Sequence, residues 1–344
     1  MSLYTLFKPA IFALDAEKAH LASLALLRCL PTLVGNGAKD AHLNTRVAGL
    51  DFPSPIGLAA GYDKDAVAPD HLLSLGFGFV EIGTITPLPQ TGNPRPRLFR
   101  LVEDRAVINR MGFNNKGQQA AYARLSSRKH RGVVGVNIGA NKDAADRIAD
   151  YVTGVRTMAD VADYLTINIS SPNTPSLRAL QDRLALENLL ARVMEARGHG
   201  GPPVFLKVAP DLEPADIDDI AKVAIEQGID ALIVSNTTVA RPPLTSRYAK
   251  EAGGLSGAPL REPALQRLRD FKRATGGALP LIGVGGIASA EHAYARIRAG
   301  ASLIQLYSAL VYEGPGLARR IAAGLKKLLE RDGFANVQQA VGID

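Results

Sequence analysis

Cysteine is almost absent from this sequence, since Cys29 is the single cysteine among 344 residues. One cysteine forms neither an intramolecular disulfide framework nor a cysteine-rich zinc site, and we therefore expect no metal and a reducing compartment. The sequence also lacks a run of about 20 apolar residues, which a membrane-spanning helix needs. Its N-terminus lacks the charged start and cleavage pattern of a secretory signal. These absences predict a protein that neither spans a membrane nor is exported.

Acidic residues are in the minority in this chain. Its 40 Lys and Arg against 33 Asp and Glu give a formal charge of +7, which favours anionic partners such as phosphates, carboxylates, nucleic acid or acidic lipid. The aromatic stacking platforms and recognisable modules of nucleic-acid-binding proteins are missing, so we expect no nucleic acid. Hydrophobic residues make up 47% of the chain, which is enough for a large buried core.

Eight short apolar runs alternate with helical patterns from about residue 53 onward, where predicted helices include 214–227 and 317–329. Continuous apolar character is typical of strands buried on both faces of a parallel sheet. Eight such units predict an α/β fold, the closed (β/α)8 TIM barrel. A doubly wound open sheet is the alternative, but it requires a Gly-x-Gly-x-x-Gly turn that residues 59–64 do not provide. The runs are 55–60, 78–84, 133–139, 164–170, 204–209, 231–236, 281–285 and 303–307.

The first 35 or so residues differ from the rest because they carry two short amphipathic segments. Asp15 is the predicted cap of the second helix, and Pro9 must lie in a first turn or kink the first helix. We expect a helical hairpin over 1–38 and the catalytic barrel over 39–344. The hairpin either packs on the barrel bottom or a neighbouring helix, or dips into a membrane interface. The apolar positions are Leu3, Phe7, Ile11 and Leu14, then Leu21, Leu24 and Leu27.

Polar residues follow the predicted strands at their carboxyl ends, where barrel enzymes place their working groups. Amides and hydroxyls dominate this set, and such groups suit a flat heterocycle with several hydrogen-bonding atoms. Lys64 and Lys207 add positive charge for a reduced, anionic ring or a carboxylate. The long connection 87–115 between the second and third strands is interpreted as part of the active-site wall.

Three glycines, Gly283, Gly285 and Gly286, end the seventh predicted strand. Their backbone N–H groups can approach an anion closely, and the next helix presents its positive N-terminus. With Tyr307 and Ser308 they predict a phosphate cradle after strands seven and eight, the usual place in barrels. The alternative is a tight turn that needs glycine for its geometry alone.

Three strings of residues resemble the dihydroorotate dehydrogenase family, in its quinone-using class. They are 168–175 (NISSPNTP), 109–115 (NRMGFNN) and 253–257 (GGLSG). The resemblance covers almost the whole chain, in order. One position departs from the pattern, because Ser176 stands where the motif has glycine, in a loop that must flex.

The resemblance implies FMN as cofactor and dihydroorotate as substrate. The implied FMN ligands are Ala60, Gly61, Tyr62, Asp63, Lys64, Thr84, Asn137, Asn168, Lys207, Ser235, Gly257, Gly286, Tyr307 and Ser308. The implied substrate ligands are Lys64, Asn109, Arg110, Met111, Gly112, Phe113, Asn168, Asn173, Asn236 and Thr237. The two sets share Lys64 and Asn168, as expected for a substrate stacked on the flavin.

The resemblance also implies a mechanism in pyrimidine biosynthesis. Ser171 takes the C5 proton of dihydroorotate while C6 delivers a hydride to flavin N5. Lys64 and Lys207 stabilise the charge that develops. A serine hydroxyl is a poor base near neutral pH, so we expect a relay near Thr174 and a kcat that rises with pH.

The serine base and the N-terminal hairpin together indicate the quinone-using class, because cytosolic relatives use cysteine in this loop and lack the hairpin. By the same resemblance, His20, Arg100 and Tyr307 line a path for a membrane quinone. We expect a monomer, bound peripherally to the cytoplasmic side of a bacterial inner membrane. The alternatives are a cytosolic enzyme of this family that uses fumarate or NAD, and a phosphate-binding barrel of unrelated chemistry.

Overall fold

The computed structural model describes residues 3–32, 40–129, 132–174 and 177–344. The strands are β1 (Thr45–Val47), β2 (Leu50–Phe52), β3 (Ile56–Leu58), β4 (Phe79–Ile85), β5 (Leu98–Leu101), β6 (Ala106–Asn109), β7 (Val133–Ile138), β8 (Tyr164–Asn168), β9 (Val204–Val208), β10 (Ala231–Val234), β11 (Gly254–Gly257), β12 (Leu281–Val284) and β13 (Ala301–Leu306). The α-helices are α1 (Leu3–Ala13), α2 (Ala16–Cys29), α3 (Pro69–Leu73), α4 (Gln118–Ser126), α5 (Arg147–Met158), α6 (Arg183–Arg197), α7 (Pro214–Glu226), α8 (Arg261–Thr275), α9 (Ala290–Arg298), α10 (Ser308–Glu313) and α11 (Leu317–Arg331).

Eight of these strands close into a parallel barrel in the order β3, β4, β7, β8, β9, β10, β12 and β13, with β13 pairing back to β3. The predicted TIM barrel is therefore confirmed, and each predicted run overlaps one barrel strand. The helices predicted at 214–227 and 317–329 are α7 and α11. Every residue of β4, β8 and β9 is buried, which explains the continuous apolar runs.

The amino end of the barrel is filled by aromatic side chains. Phe79 and Tyr164 are the first residues of β4 and β8, and Tyr164 stacks on Phe205 with 4.5 Å between ring centroids. Phe52, from the antiparallel pair β1 and β2, packs edge-on against Phe79 at 5.1 Å. The β1–β2 pair, which the sequence interpretation missed, therefore covers this end of the barrel.

The connection 87–115 has more structure than expected. It contains β5 and β6, which form a three-stranded antiparallel sheet with β11. The sequence interpretation assigned no strands to this connection. Strands of four residues carry little periodicity, and the partner strand β11 lies far along the chain, so only the folded chain brings the sheet together.

The two predicted N-terminal helices are α1 and α2. Asp15 caps α2 as predicted, because its Oδ1 accepts hydrogen bonds from the N–H groups of Glu17 and Lys18 at 3.1 and 3.0 Å. Pro9 lies inside α1, beyond its first turn. The boundary proposed at residues 38 and 39 falls outside the described residues.

Ionic contacts attach this hairpin to the β5 region. Glu17, which is 6% exposed, accepts hydrogen bonds from Arg97 Nη2 at 2.7 Å and Nε at 3.1 Å, and from Arg95 at 3.0 Å. Arg100 donates to the carbonyl oxygens of Ile11, Phe12 and Leu14 at the end of α1. The hairpin is thus held by charged groups, and not only by its apolar face.

Several large apolar side chains of the hairpin remain in solvent. Leu24 and Leu27 are buried, whereas Leu21 is exposed although it was predicted to share their face. Among the described residues, no helix combines the length and apolar character required to cross a membrane. The exposed set is Leu6, Phe7, Leu14, Leu21, Leu26 and Leu30.

Glu17→Ala is expected to loosen the hairpin without unfolding the barrel. It leaves Arg97 buried without its carboxylate, which costs roughly 3–5 kcal/mol. Hydrogen exchange followed by mass spectrometry should show faster exchange in α1 and α2, with the barrel strands unchanged. Glu226→Ala, which removes an exposed pair with Lys222 on α7, is the control and should change neither. Unchanged exchange in α2 of the Glu17 variant would contradict this account of hairpin attachment.

Candidate active site

A cavity of about 580 Å³ lies at the carboxyl end of the barrel, between the strand ends and the hairpin. Residues of α1 and α2, including Phe12 and His20, line one part of it. Residues at the carboxyl ends of the barrel strands, including Lys207 and Asn236, line another. The hairpin therefore lies over the carboxyl end of the barrel. This contradicts the alternative that it packs on the barrel bottom, at the amino end of the strands.

The cavity brings together most of the predicted site residues. Asp63, Asn137 and Arg110 are the exceptions, and they do not line it. Pro175 and Ser176 of the predicted loop lie outside the described residues. The predicted residues that line the cavity are Ala60, Gly61, Tyr62, Lys64, Thr84, Asn168, Ser171, Lys207, Ser235, Gly257, Gly286, Tyr307, Ser308, Asn109, Met111, Gly112, Phe113, Asn173, Asn236, Thr237, His20 and Arg100.

The three residues outside the lining have other contacts. Asp63 is fully buried, and its carboxylate accepts hydrogen bonds from the N–H groups of Val67 and Ala68 at 2.9 and 2.8 Å, which holds the loop after β3. Burial raises the pKa of Asp63. Arg110 pairs with Glu251 at 2.7 Å. Direct binding by these residues stays a prediction.

Asn168, at the end of β8, is the centre of a network of amides. Its Nδ2 donates to Thr84 Oγ1 and to Asn137 Oδ1, both at 3.0 Å. Its Oδ1 accepts from Ser170 Oγ at 2.9 Å and from Asn236 Nδ2 at 3.4 Å. Asn137 thus lies behind the lining and orients Asn168. The network fixes which amide atoms are left to face a ligand.

The loop after β8 carries Ser171, which is 5% exposed. Its Oγ accepts a hydrogen bond from the N–H of Asn173 at 3.2 Å. The side chain of Asn173 donates to Asn109 Oδ1 at 3.3 Å, and Asn93 Nδ2 donates to the Asn173 carbonyl at the same distance. These contacts tie the loop to the β5–β6 region and hold the Ser171 hydroxyl at the cavity wall.

Two lysines bring positive charge to the cavity. Lys64 donates to the carbonyl oxygen of Gly61 at 2.8 Å, and burial lowers its pKa to about 8. Lys207 is 5% exposed, and burial lowers its pKa while the carboxylate of Glu81, 4.0 Å from its Nζ, acts in the opposite direction. Within the described chain Lys207 has no shorter polar contact, so its ammonium retains donors for a ligand.

Two glycines of the predicted cradle, Gly285 and Gly286, border the same cavity, whereas Gly283 lies inside β12 and does not line it. Gly285 and Gly286 have φ angles of 113° and 69°, which favour glycine. A Cβ on Gly286 would lie 2.5 Å from Cα of Arg261, so this turn packs directly on the start of α8. Ser256 Oγ, which the sequence interpretation missed, lies 2.7 Å from Ser308 Oγ at this end of the cavity.

An aromatic group joins the hairpin to the strand ends. His20 packs edge-on against Tyr62 at 5.0 Å between centroids, and Tyr62 packs against Tyr307 at 5.6 Å. Ser23 on α2 shares a hydrogen bond of 2.8 Å with the Tyr62 hydroxyl. Burial lowers the pKa of His20 to about 3, so its imidazole is neutral at pH 7. The hairpin and the strand ends therefore meet at these three rings.

A protein-family model described as dihydroorotate dehydrogenase matches residues 42–329. The chain belongs to the dihydroorotate dehydrogenase family. It is 64% identical to "Dihydroorotate dehydrogenase (quinone)" of Erythrobacter litoralis over 341 residues and 62% identical to the protein of that name from Novosphingobium aromaticivorans over 351, with 99% of each chain covered in both cases. The crystal structure of DHODH from Eimeria tenella with ferulenol is 42% identical, with a TM-score of 0.91 and 96% of each chain covered.

This member of the dihydroorotate dehydrogenase family has a fully buried carboxylate, Glu81, inside the barrel. The sequence interpretation missed this residue. Its Oε1 accepts from Asn137 Nδ2 at 2.8 Å, the same amide that orients Asn168. Three further donors reach Oε2: Tyr164 at 3.2 Å, Thr166 at 3.1 Å and Gln305 at 2.9 Å. The signal in the sequence was one acidic residue in the middle of the apolar strand β4.

Glu81→Gln is expected to destabilise the protein by about 2–5 kcal/mol, because the new amide must direct an N–H towards groups that are themselves donors. The measurement is urea denaturation followed by far-UV circular dichroism. Glu187→Gln, at an exposed residue that accepts from Arg183, provides the control and should stay within about 1 kcal/mol of the parent. Equal stabilities of the two variants would show that the carboxylate charge is not needed in the core.

Proposed function

We propose that this protein oxidises (S)-dihydroorotate to orotate in pyrimidine biosynthesis, with FMN as cofactor and a membrane quinone as electron acceptor. The observation that carries the proposal is the continuity of the cavity, which joins an amide- and lysine-lined region to an apolar region under the hairpin. The relatives named "Dihydroorotate dehydrogenase (quinone)" match over nearly the full chain, hairpin included.

The donor set of the polar region fits a flavin phosphate and ring. Gly285 and Gly286 allow close approach of a phosphate to the backbone, and the helix α9 that follows adds the positive end of its dipole. Lys207 is buried with no hydrogen-bond acceptor in the described chain, so it suits the polar edge of the ring. We assign FMN to the predicted ligands that line the cavity, while Asp63 and Asn137 support that lining from behind.

The substrate is assigned to the amide side of the cavity. Asn109, Asn173 and Asn236 supply donors and acceptors for the pyrimidine, and Lys64 supplies a positive charge for its carboxylate. When bound, FMN supplies the acceptor for the hydride from C6 and the electron donor for the quinone. Ser171 takes the proton from C5 and passes one on to solvent, with the relay placed at Thr174, a buried residue of the same loop.

The apolar region is assigned to the quinone. His20, Arg100 and Tyr307 all line the cavity, and the neutral His20 adds no charge there. The hairpin's exposed apolar residues, among them Leu6, Phe7 and Leu26, form a surface suited to the membrane interface. We place the enzyme peripherally on the cytoplasmic side of the inner membrane. We infer a monomer, because residues of a single chain complete the cavity.

The purified protein is expected to be yellow, since it should carry FMN. Its flavin absorbance should bleach anaerobically on addition of dihydroorotate and return on addition of a short-chain ubiquinone. Fumarate and NAD, added separately, are the controls and should restore the colour far more slowly. A colourless protein, or recovery with fumarate or NAD at the rate seen with quinone, would overturn the proposal in favour of a cytosolic type of enzyme or another activity.

Ser171→Ala is expected to lower kcat by about 10²–10⁴-fold, the usual contribution of a general base, while flavin remains bound. In the parent protein kcat should rise with pH into the alkaline range. The Ser171 hydroxyl can accept the C5 proton only as it loses its own proton, and this loss becomes easier as the pH rises. Stopped-flow flavin reduction by dihydroorotate measures both. Ser126→Ala, on the exposed surface of α4, is the matched control. A flat profile with chemistry rate-limiting would argue against Ser171 as the base.

A further inference from the structure

A positive charge is buried behind the glycine cradle. Arg296, on α9, is 2% exposed, and it forms no ion pair with a carboxylate in the part of the chain that the structure describes. Its Nε has no hydrogen-bond partner there either. Burial lowers the pKa of Arg296 to about 10, so the guanidinium stays charged at neutral pH. An unpaired charge in such a position is unfavourable unless something compensates for it.

The contacts of Arg296 join the two backbone segments that border this end of the cavity. Its Nη2 donates to the carbonyl oxygen of Gly285 at 2.8 Å and to that of Arg261 at 2.6 Å. Gly285 belongs to the turn after β12, and Arg261 begins α8. Gly285, Gly286 and Arg261 all line the cavity. One buried side chain therefore bonds to both walls.

The electrostatic surroundings of Arg296 favour an anion at this cradle. Glu262 is the strongest charged influence on Arg296 and favours its charge, whereas Arg261 and Arg269 act against it, and in the described chain Glu262 forms no ion pair with Arg296. Hydrogen bonds to carbonyl oxygens satisfy donors but do not neutralise the charge. A phosphate monoester carries a charge of about −1.5 to −2 at pH 7, and at this turn it would supply the compensation that the protein lacks.

We propose that Arg296 is a positioning residue for the phosphate of the flavin nucleotide. It holds the glycine turn against the start of α8 and supplies positive charge behind the cradle, without touching the cofactor. This inference rests on the flavin binding proposed above. Riboflavin has the same ring and ribityl chain but no phosphate, so a loss at Arg296 should weaken FMN binding and leave riboflavin binding nearly unchanged.

The test is the exchange equilibrium between the FMN-loaded enzyme and added riboflavin. Bound and released flavins are separated by rapid ultrafiltration and quantified by chromatography, which gives the ratio of the two affinities directly. Arg296→Met should shift this ratio towards riboflavin by about 30-fold or more, the effect of truncating one partner of a buried charge pair. Because the measurement is a ratio, general destabilisation of the variant cancels.

Two further variants separate charge from geometry and from general effects. Arg296→Lys keeps the charge but has a single donor group in place of the guanidinium fork, so it should recover most of the preference for FMN. Arg298→Met removes an exposed arginine of the same helix that pairs with Asp344, and its ratio should stay within about threefold of the parent.

The outcomes distinguish this inference from the proposed function. A parent protein that carries no flavin refutes the proposed function itself. A parent that carries FMN, together with an unchanged exchange ratio in Arg296→Met, refutes only the role of Arg296. If Arg296→Met cannot be purified folded, Arg296→Gln takes its place, because it also removes the charge, and an unchanged exchange ratio in that variant would likewise refute the role of Arg296.

Discussion

Closure of eight parallel strands into one barrel is the constraint on which the rest of this structure depends. Because all eight strands run in the same direction, their carboxyl ends meet at one end of the barrel. Asn168 finds Thr84 and Asn137 as partners because β4, β7 and β8 are neighbours there. The same closure brings Lys64 and Ser308 to one cavity although most of the chain separates them.

Buried positive and negative charges in this barrel differ in how fully the protein's own groups compensate for them. The carboxylate of Glu81 is surrounded by hydrogen-bond donors of the protein itself. Within the described residues, Lys207 has only a distant carboxylate at 4.0 Å, and Arg296 has carbonyl oxygens but no ion-paired carboxylate. The negative charge is thus satisfied internally, whereas the two positive charges are not. This asymmetry, more than the net charge of +7, argues for an anionic ligand at the strand ends.

The hairpin α1–α2 is attached to the barrel and also leaves apolar side chains in solvent. In an ordinary helix pair these two features conflict, because apolar side chains provide the attachment. Here Glu17 and Arg100 provide it through polar contacts with the β5 region and with the end of α1. The apolar surface is then free for other partners, and His20 reaches the strand ends beside Tyr62. Attachment by polar groups explains how the cavity can have an apolar region that remains open.

The sequence by itself determined the elements whose signals are local. Runs such as 204–209 are buried on both faces, the Asp15 cap depends on N–H groups two and three residues away, and strand ends mark the cavity lining. Tertiary structure alone decided the β5–β6–β11 sheet, the end of the barrel that the hairpin covers, and the buried surroundings of Glu81 and Arg296. Their partners are distant in the chain, and the energy of a buried charge depends on those partners.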